Sequence, residues 1–439
     1  MANSDKTYDV IVIGAGAAGL AAAAELAEAG RTVLIIEARD RLGGRAFTVD
    51  SRRGSAMPID LGAEFVHGRS PHIFDVCDEA LIPLVSMQAD QRMVRGGKVV
   101  ESDDFWHEVD RVFNEMMNEE GKPDTTFSAF LSGVKVSQEA KESALRYAEG
   151  FNAADADKMS VQALIVDQKA SDEIEGDEGY RMVGGYRQFI NAMADRARKA
   201  GVEIALETVA ERIEWTRGSV RVSTAGDSID SGRACIVTIP ISLLQSRSIQ
   251  FVPALDEKFR HIDRIIMGKV VRIIFECRSL FWERRTLAGD ESDLRTMSFL
   301  HFRDAEYFPT WWTQAPVRVP LLVAWASGKY ALKMEAMDRQ RIISLAQQEL
   351  GTLFNMPPDE IASQIEQVHF HDWDNDPYSR GAYSYVGVNG LEAQHELATP
   401  VEGTLFFAGE ATVTQGAIGT VHGAIATGKR AALELIAGV

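Results

Sequence analysis

Tyr8-Asp9-Val10-Ile11-Val12-Ile13-Gly14-Ala15-Gly16-Ala17-Ala18-Gly19 is the stretch from which the fold can be read. Its first half is a continuous apolar, β-branched run, as expected of a strand buried on both faces of a sheet. Its second half spaces glycines as G-x-G-x-x-G. Gly14 permits a tight turn, Gly16 lets the backbone approach a pyrophosphate, and Gly19 lets the following helix pack closely on the strand. An alanine-rich helix is predicted to about Ala29, with Gly30 as the residue that ends it. Its first turn, at Ala17 and Ala18, offers free amides and a positive dipole to phosphates. Thr32-Val33-Leu34-Ile35-Ile36-Glu37 supplies the next strand and completes a βαβ unit. Glu37 stands about 20 residues on, where an acid accepts ribose hydroxyls. A solvated strand end is the competing reading of that residue.

The rest of the chain bounds the answer from outside. With 439 residues the chain is too long for a single ordinary core, and roughly two to three domains are expected. Its hydrophobic share of 46% and charged share of 25% are those of a soluble globular protein, and no run reaches the ~18 apolar residues that a membrane span requires. The apolar run from Val10 to Ala29 is broken by Glu25 and Glu28, so it reads as a strand entering a helix and not as a secretory leader. Cys77, Cys235 and Cys277 are too few and too scattered for a disulfide framework or a zinc site, which fits a reducing cytosol, and no metal is expected. A net charge of −18 repels phosphates and argues against nucleic acid. The same charge favours cationic ligands, although solubility alone explains it.

Further strands are predicted at 202–206, 212–216, 220–223, 234–239 and 404–408, and helices at 187–199 and 338–353. Residues 86–183 read as mostly helical. A last small-residue helix ends near Ala437. Two α/β segments at opposite ends imply one domain assembled from both termini.

Glu37-Ala38-Arg39-Asp40-Arg41-Leu42-Gly43-Gly44-Arg45 places glycines beside arginines, a close loop with bidentate cationic contacts for phosphate; a plain surface turn is the alternative. With this segment the chain resembles the flavin amine oxidase family, which includes monoamine oxidases, polyamine oxidases and lysine-specific histone demethylases. The resemblance runs nearly end to end. Asp60-Leu61-Gly62-Ala63-Glu64-Phe65-Val66-His67-Gly68 is similar to the segment that passes beside the isoalloxazine ring. Thr208-Val209-Ala210 resembles the place where a backbone valine meets the adenine. Phe407-Ala408-Gly409-Glu410 opens the second cofactor segment, which continues through Gly419-Thr420-Val421-His422-Gly423-Ala424 into the last helix. The dipole of that helix would stabilise an anion at the flavin pyrimidine edge.

The resemblance implies an α/β fold (α+β overall): a Rossmann-like FAD-binding domain of the glutathione-reductase-like type and a mixed-sheet plus helical substrate domain. The expected division gives residues 1–80, 180–250 and 395–439 to the first and 81–179 and 251–394 to the second. FAD contacts are expected from Gly14, Gly16, Ala17, Ala18, Gly19, Glu37, Ala38, Arg39, Gly44, Arg45, Gly62, Ala63, Glu64, Val209, Gly409, Glu410, Thr420 and Val421.

Met267-Gly268-Lys269-Val270-Val271-Arg272-Ile273-Ile274-Phe275 carries a lysine early in an apolar strand. Taken alone, such a lysine reads as a snorkelling strand end. The resemblance makes Lys269 the family lysine that holds a water against flavin N5, with a pKa lowered by desolvation. Lys329 and Lys333 compete by composition. Ser379-Arg380-Gly381-Ala382-Tyr383-Ser384-Tyr385 is similar to the loop along the re face of the flavin. Ala382 occupies the slot where monoamine oxidases attach flavin through cysteine, so the FAD is expected to be noncovalent. Tyr383 matches an aromatic-cage residue that guides the amine, whereas the opposite wall is Thr420, as in histone demethylases. His67 matches a position that contacts substrate nitrogens in polyamine oxidases; a backbone-bonded loop histidine is the other reading. Phe308-Pro309-Thr310-Trp311-Trp312-Thr313 lines a pocket or packs a core.

The activity so implied takes hydride from the carbon beside an unprotonated amine to flavin N5. The imine then hydrolyses to a carbonyl, and dioxygen accepts the electrons to give hydrogen peroxide. The partners implied are a small amine, polyamines among the candidates, and dioxygen, with no nucleic acid and no membrane, in the cytoplasm; a homodimer stays open. L-amino-acid oxidases share the fold but carry a carboxylate-binding arginine where this chain has Phe65. Carotenoid-desaturase-like enzymes share the N-terminal motifs, and a flavin-containing partner-binding scaffold is the third rival, although the long helical arm of the demethylases is not evident.

Overall fold

The computed structural model describes residues 7–51, 57–87, 90–100, 103–226, 228–291 and 293–438. The opening run forms the strand Thr7–Ile13. It lies parallel to Val33–Ile36 on one side and to Ile229–Val237 on the other. Val10, Ile11 and Val12 are wholly buried, because Val10 and Val12 pack into one apolar cluster and Ile11 and Ile13 into another. That is the two-faced burial the uninterrupted run requires. Glu203–Ala205 extends the sheet beyond Val33–Ile36. On the other flank the antiparallel strands Ser219–Thr224 and Ala210–Thr216 follow Ile229–Val237, and Gln250–Val252 closes the row. Leu405–Phe407 returns from the far end of the sequence to pair in parallel with Cys235, Ile236 and Val237, completing eight strands.

The opening helix spans Ala17–Glu28. It ends as its sequence demands: Gly30 takes a φ of +81°, its amide donates to Ala27 O at 2.9 Å, and the Arg31 amide donates to Leu26 O at 3.0 Å. The final helix, Val421–Ala437, lies directly against it. A Cβ on Gly428 would stand 2.2 Å from the carbonyl oxygen of Ala18, so only a glycine allows this approach.

A second sheet of seven strands runs in the order Ile365–His369, Val270–Cys277, Leu321–Ser327, Thr310–Trp312, Phe299–Phe302, Gln91–Arg95, Lys98–Val100. The helix Arg339–Phe354 packs into its core through Ile342, Leu345, Ala346 and Leu350. Helices Asp103–Met117, Phe127–Gly133, Gln138–Asn152 and Val161–Glu173 share a further apolar cluster. The region 86–183 is therefore largely helical, as expected, but it also holds Gln91–Arg95, Lys98–Val100 and Gly179–Met182 as strands. These are short; Gln91–Arg95 and Lys98–Val100 form a hairpin across Gly96-Gly97, and the hairpin is held in the sheet by Phe299–Phe302, about 200 residues away. The distant pairing leaves little local trace in a sequence, whereas the Gly96-Gly97 turn is a local signal that went unread. Among the described residues, no helix is long and apolar enough to cross a membrane.

Gly428→Val should hold the two terminal helices apart. Overpacking of this kind costs ~1–3 kcal/mol, so the urea midpoint should fall while the m-value is kept. An unchanged midpoint would mean that the helices do not need this contact.

Candidate active site

A cavity of about 1520 Å³ runs from the glycine turn of the eight-stranded sheet to the helical cluster and the second sheet. At its first end lie Gly14, Gly16, Ala17, Ala18, Glu37, Ala38, Arg39, Gly44, Arg45 and Val209. The two earlier glycines of the motif face this space, and the third does not. A Cβ on Gly19 would meet Gly14 O at 1.9 Å, so Gly19 serves helix–strand contact and does not line the cavity. A Cβ on Gly16 would meet no atom within 4 Å. The backbone there is bare toward an open cradle, beside the N-terminus of Ala17–Glu28, and a pyrophosphate group fits that arrangement. Glu37 is buried, and its two carboxylate oxygens accept from Ala15 N at 2.7 Å and Arg39 N at 2.8 Å. It thus clamps the two loops together while still lining the cavity. Arg39 is fixed from behind by Asp376 at 2.7 Å and 2.8 Å and by Ser379 at 2.9 Å.

Gly62, Ala63, Glu64, Gly409, Glu410, Thr420 and Val421 line the cavity further along. Arg45 is committed within the protein, to Glu410 at 2.8 Å and to Ala382 O at 2.9 Å. Glu410 accepts in turn from the Ser384 hydroxyl at 2.6 Å and from Gly419 N at 3.1 Å. One carboxylate thereby ties both cofactor segments to the Ala382–Ser384 loop. Thr420 lines the cavity, but its hydroxyl caps the last helix, accepting from Gly423 N at 3.0 Å and donating to Ala417 O at 2.7 Å. Two helix N-termini from opposite ends of the chain therefore open on one space, which favours negative charge within it.

Tyr383 and His67 face the same space. The Tyr383 hydroxyl donates to Phe151 O at 2.7 Å, so its ring rather than its oxygen is presented. The His67 ring meets Phe151 edge-on at 5.2 Å and Phe65 at 6.0 Å. Burial pushes its pKa down to about 4, and burial with the nearby His67 and His72 does the same to His422. Both stay neutral at physiological pH.

Lys269 lies elsewhere. Its ammonium pairs with Glu335 and, at 3.6 Å, with Asp374, and none of the three lines the cavity. Burial would lower its pKa, but the bonds to Glu335 and Asp374 prevail and raise it, opposite to the lowering expected. Lys329 pairs with Glu149 at 3.0 Å, and Lys333 donates to Glu306 O at 3.0 Å. Among the described residues no lysine lines the cavity. The cation that this strand turns toward it is Arg272, which the sequence reading passed over. Side chains alternate along Val270–Cys277: Val271, Ile273 and Phe275 enter the core beneath the sheet, whereas Val270 and Arg272 face the cavity. Arg272 is 6% exposed and donates to Gly62 O at 2.6 Å and to Glu64. Glu64 also receives Arg181, Trp312 Nε1 at 3.2 Å and Gln314 Nε2 at 3.1 Å. The strand's parity, counted from its apolar positions, is the signal that selects Arg272 over Lys269.

The aromatic segment at 308–313 divides between the two readings. Phe308 and Trp311 are fully buried in the core, and Trp312 lines the cavity above Glu64. Phe151, Tyr147 and Asp167 also line it; their helices carry no motif that marks them.

A family model described as flavin containing amine oxidoreductase matches residues 17–436. The chain is 28% identical over 506 residues to lysine-specific histone demethylase 1 homolog 3 of Arabidopsis thaliana, covering 97% of this chain and 30% of that protein. It is 28% identical over 465 residues to polyamine oxidase 3 of Oryza sativa subsp. japonica, covering 98% and 89%. The chain thus spans less than a third of the demethylase homolog and most of the polyamine oxidase. Among solved structures, putrescine oxidase bound to putrescine superposes with a TM-score of 0.81 at 21% identity, covering 98% of this chain and 99% of that one. That likeness concerns the fold.

Because a Cβ at Gly16 has open space, Gly16→Val should fold with an unchanged melting temperature in the absence of cofactor. It should nevertheless purify with little or no yellow colour, since the new side chain fills the cradle. Full flavin content in the variant would place the pyrophosphate elsewhere.

Proposed function

The chain belongs to the flavin-containing amine oxidoreductase family, and from that premise we propose that it oxidises a primary or secondary amine, with dioxygen as the final acceptor. The observation that carries this reading is the single cavity itself. One end is a bare glycine cradle at a helix N-terminus, and the other is walled by Tyr383, His67, Phe151 and Trp312. FAD, when bound, supplies the two-electron acceptor for the hydrogen on the carbon beside the nitrogen. In overall balance, amine, water and dioxygen give a carbonyl compound, the shortened amine or ammonia, and hydrogen peroxide.

The protein's part is binding, charge and dryness. The rings of Tyr383 and Phe151 offer π faces to an approaching ammonium. His67 and His422, held neutral by burial, add no repulsion to it. The reacting nitrogen must shed its proton before the carbon–hydrogen bond breaks, and apolar walls favour the neutral amine. Arg272 keeps a fixed positive charge at the wall beside Gly62–Glu64, where the N-terminus of Val421–Ala437 also favours an anion. In this reading Arg272 takes the place first expected of Lys269. Ala382 offers no thiol, so FAD is held without a covalent bond.

Three measurements test this. Anaerobic addition of amines, polyamines and amino acids should bleach the flavin with some amine and yield peroxide on admission of air. Bleaching by amino acids alone would replace the amine reading. Acid precipitation should leave all the yellow colour in the supernatant, and colour in the pellet would contradict noncovalent binding. Arg272→Gln leaves Glu64 its bonds to Arg181, Trp312 and Gln314, so the fold should survive. Flavin reduction should slow by about 10²-fold, as when one preorganised charge is removed, whereas Lys269→Met should stay within about threefold, well below the range for a proton-transfer group. The reverse ranking would restore Lys269.

A further inference from the structure

Eight carboxylates line the cavity: Glu37, Glu64, Asp110, Glu149, Asp167, Asp172, Asp177 and Glu410. Four are already satisfied. Glu37 holds two backbone amides, Glu64 two guanidinium groups, Glu149 the ammonium of Lys329 and Glu410 the guanidinium of Arg45. Asp110, Asp172 and Asp177 are exposed to solvent. Asp167 is neither. It lies deep in the protein, on the helix Val161–Glu173, and its accessible surface opens on the cavity. Its neighbours at helical spacing, Leu164, Gln168, Ser171 and Asp172, line the cavity with it. That stripe leads from the exposed acidic residues inward.

The contacts of Asp167 are backbone amides only: Ile418 N at 3.4 Å, and Ala417 N. Among the described residues no cation pairs with it. Burial pushes its carboxyl up to about 7, as expected for a charge removed from water without a counter-ion. The same loop places it near the reaction end. Ile418 precedes Gly419, where a Cβ would stand 3.0 Å from the Tyr383 ring. Gly416 is pressed against the helix, its Cβ direction 2.5 Å from Ala170 Cβ, so the carboxylate is held against a fixed loop.

A half-buried carboxylate on a ligand cavity, with no cation beside it among the described residues, is complementary to a positive charge. The nitrogen that reacts cannot be that charge, because it must be neutral when its neighbouring carbon–hydrogen bond breaks. We propose that Asp167 is the anchor for a second, non-reacting ammonium of the substrate, so that the substrate is a diamine or longer polyamine. This rests on the amine-oxidation reading above and adds to it the substrate's second charge.

The test uses the FAD-loaded full chain and Asp167→Asn, which keeps an oxygen for the Ile418 amide; Asp167→Ser is a second neutral variant should asparagine disturb the loop. The four-carbon α,ω-diamine and n-butylamine are compared as substrates. Loss of the carboxylate should raise KM for the diamine by about tenfold or more, the lower end for a close charge pair. KM for n-butylamine, both kcat values and flavin content should stay as in the parent. Equal effects on the two amines, or none, overturn the proposal. Binding of the non-oxidisable bis(trimethylammonium)butane dication and of butyltrimethylammonium is measured in parallel by flavin absorbance. The parent should prefer the dication and the variants should lose that preference. If neither amine reduces the flavin, the amine-oxidation reading fails, and the dication comparison still decides Asp167: equal binding of the two ions by the parent, or a preference retained in the variants, overturns it.

Discussion

Two helices separated by nearly the whole sequence lie in backbone contact at Ala18 and Gly428, and the site depends on that approach. A side chain at 428 would collide with the Ala18 carbonyl. Without the contact, the N-terminus of Val421–Ala437 would not open on the space that the turn at Gly14–Ala17 faces. Pairing of Leu405–Phe407 with Cys235–Val237 fixes the level at which the last helix begins. Glu410 then joins Arg45, Ser384 and Gly419. The cavity is therefore a junction between segments, and each wall is held by a residue from another part of the chain.

Charge in that junction is unevenly distributed. Arg272 and Arg181 share Glu64, and Asp60 interacts with the same group, so two guanidinium groups and two carboxyls meet in a buried cluster beside Gly62. Removing ions from water costs several kcal/mol each unless partners replace the hydration. Arg272 Nε and Arg181 Nε and Nη2 lack such partners within the protein. Of the two arginines only Arg272 lines the cavity, whereas Asp167 lines it without a cation beside it among the described residues. The two charges favour ligand groups of opposite sign within one space.

Much of this was legible in the sequence, for identifiable reasons. The opening strand, its glycines and the helix end at Gly30 are local signals, each set by sterics within a few residues. The matches at Gly62–His67, Val209 and Gly409–Val421 found residues that line the cavity, because backbone approach there tolerates few side chains. That Lys269 lies off the cavity has an equally physical reason. A shift of one position exchanges the faces of a strand, and the apolar positions Val271, Ile273, Phe275 and Cys277 leave Arg272, not Lys269, on the other face. Asp167, Phe151 and Tyr147 were not legible at all. Their helices are ordinary amphipathic ones, and only tertiary packing shows which polar or aromatic position faces a cavity instead of solvent.

The pairing of Leu405–Phe407 with Cys235–Val237 has a consequence in the order of synthesis. A ribosome adds about 5–20 residues each second, so the growing chain waits on the order of ten seconds between making the central strand and making its last partner. During that interval the upper part of Ile229–Val237 presents an unpaired, wholly apolar edge, the kind of edge that invites other strands. The cradle for FAD also lacks one of its two helix ends until Val421–Ala437 has been made. A complete cradle thus waits on a helix that begins about 180 residues after the central strand ends, from Val237 to Val421, and the bare edge waits with it.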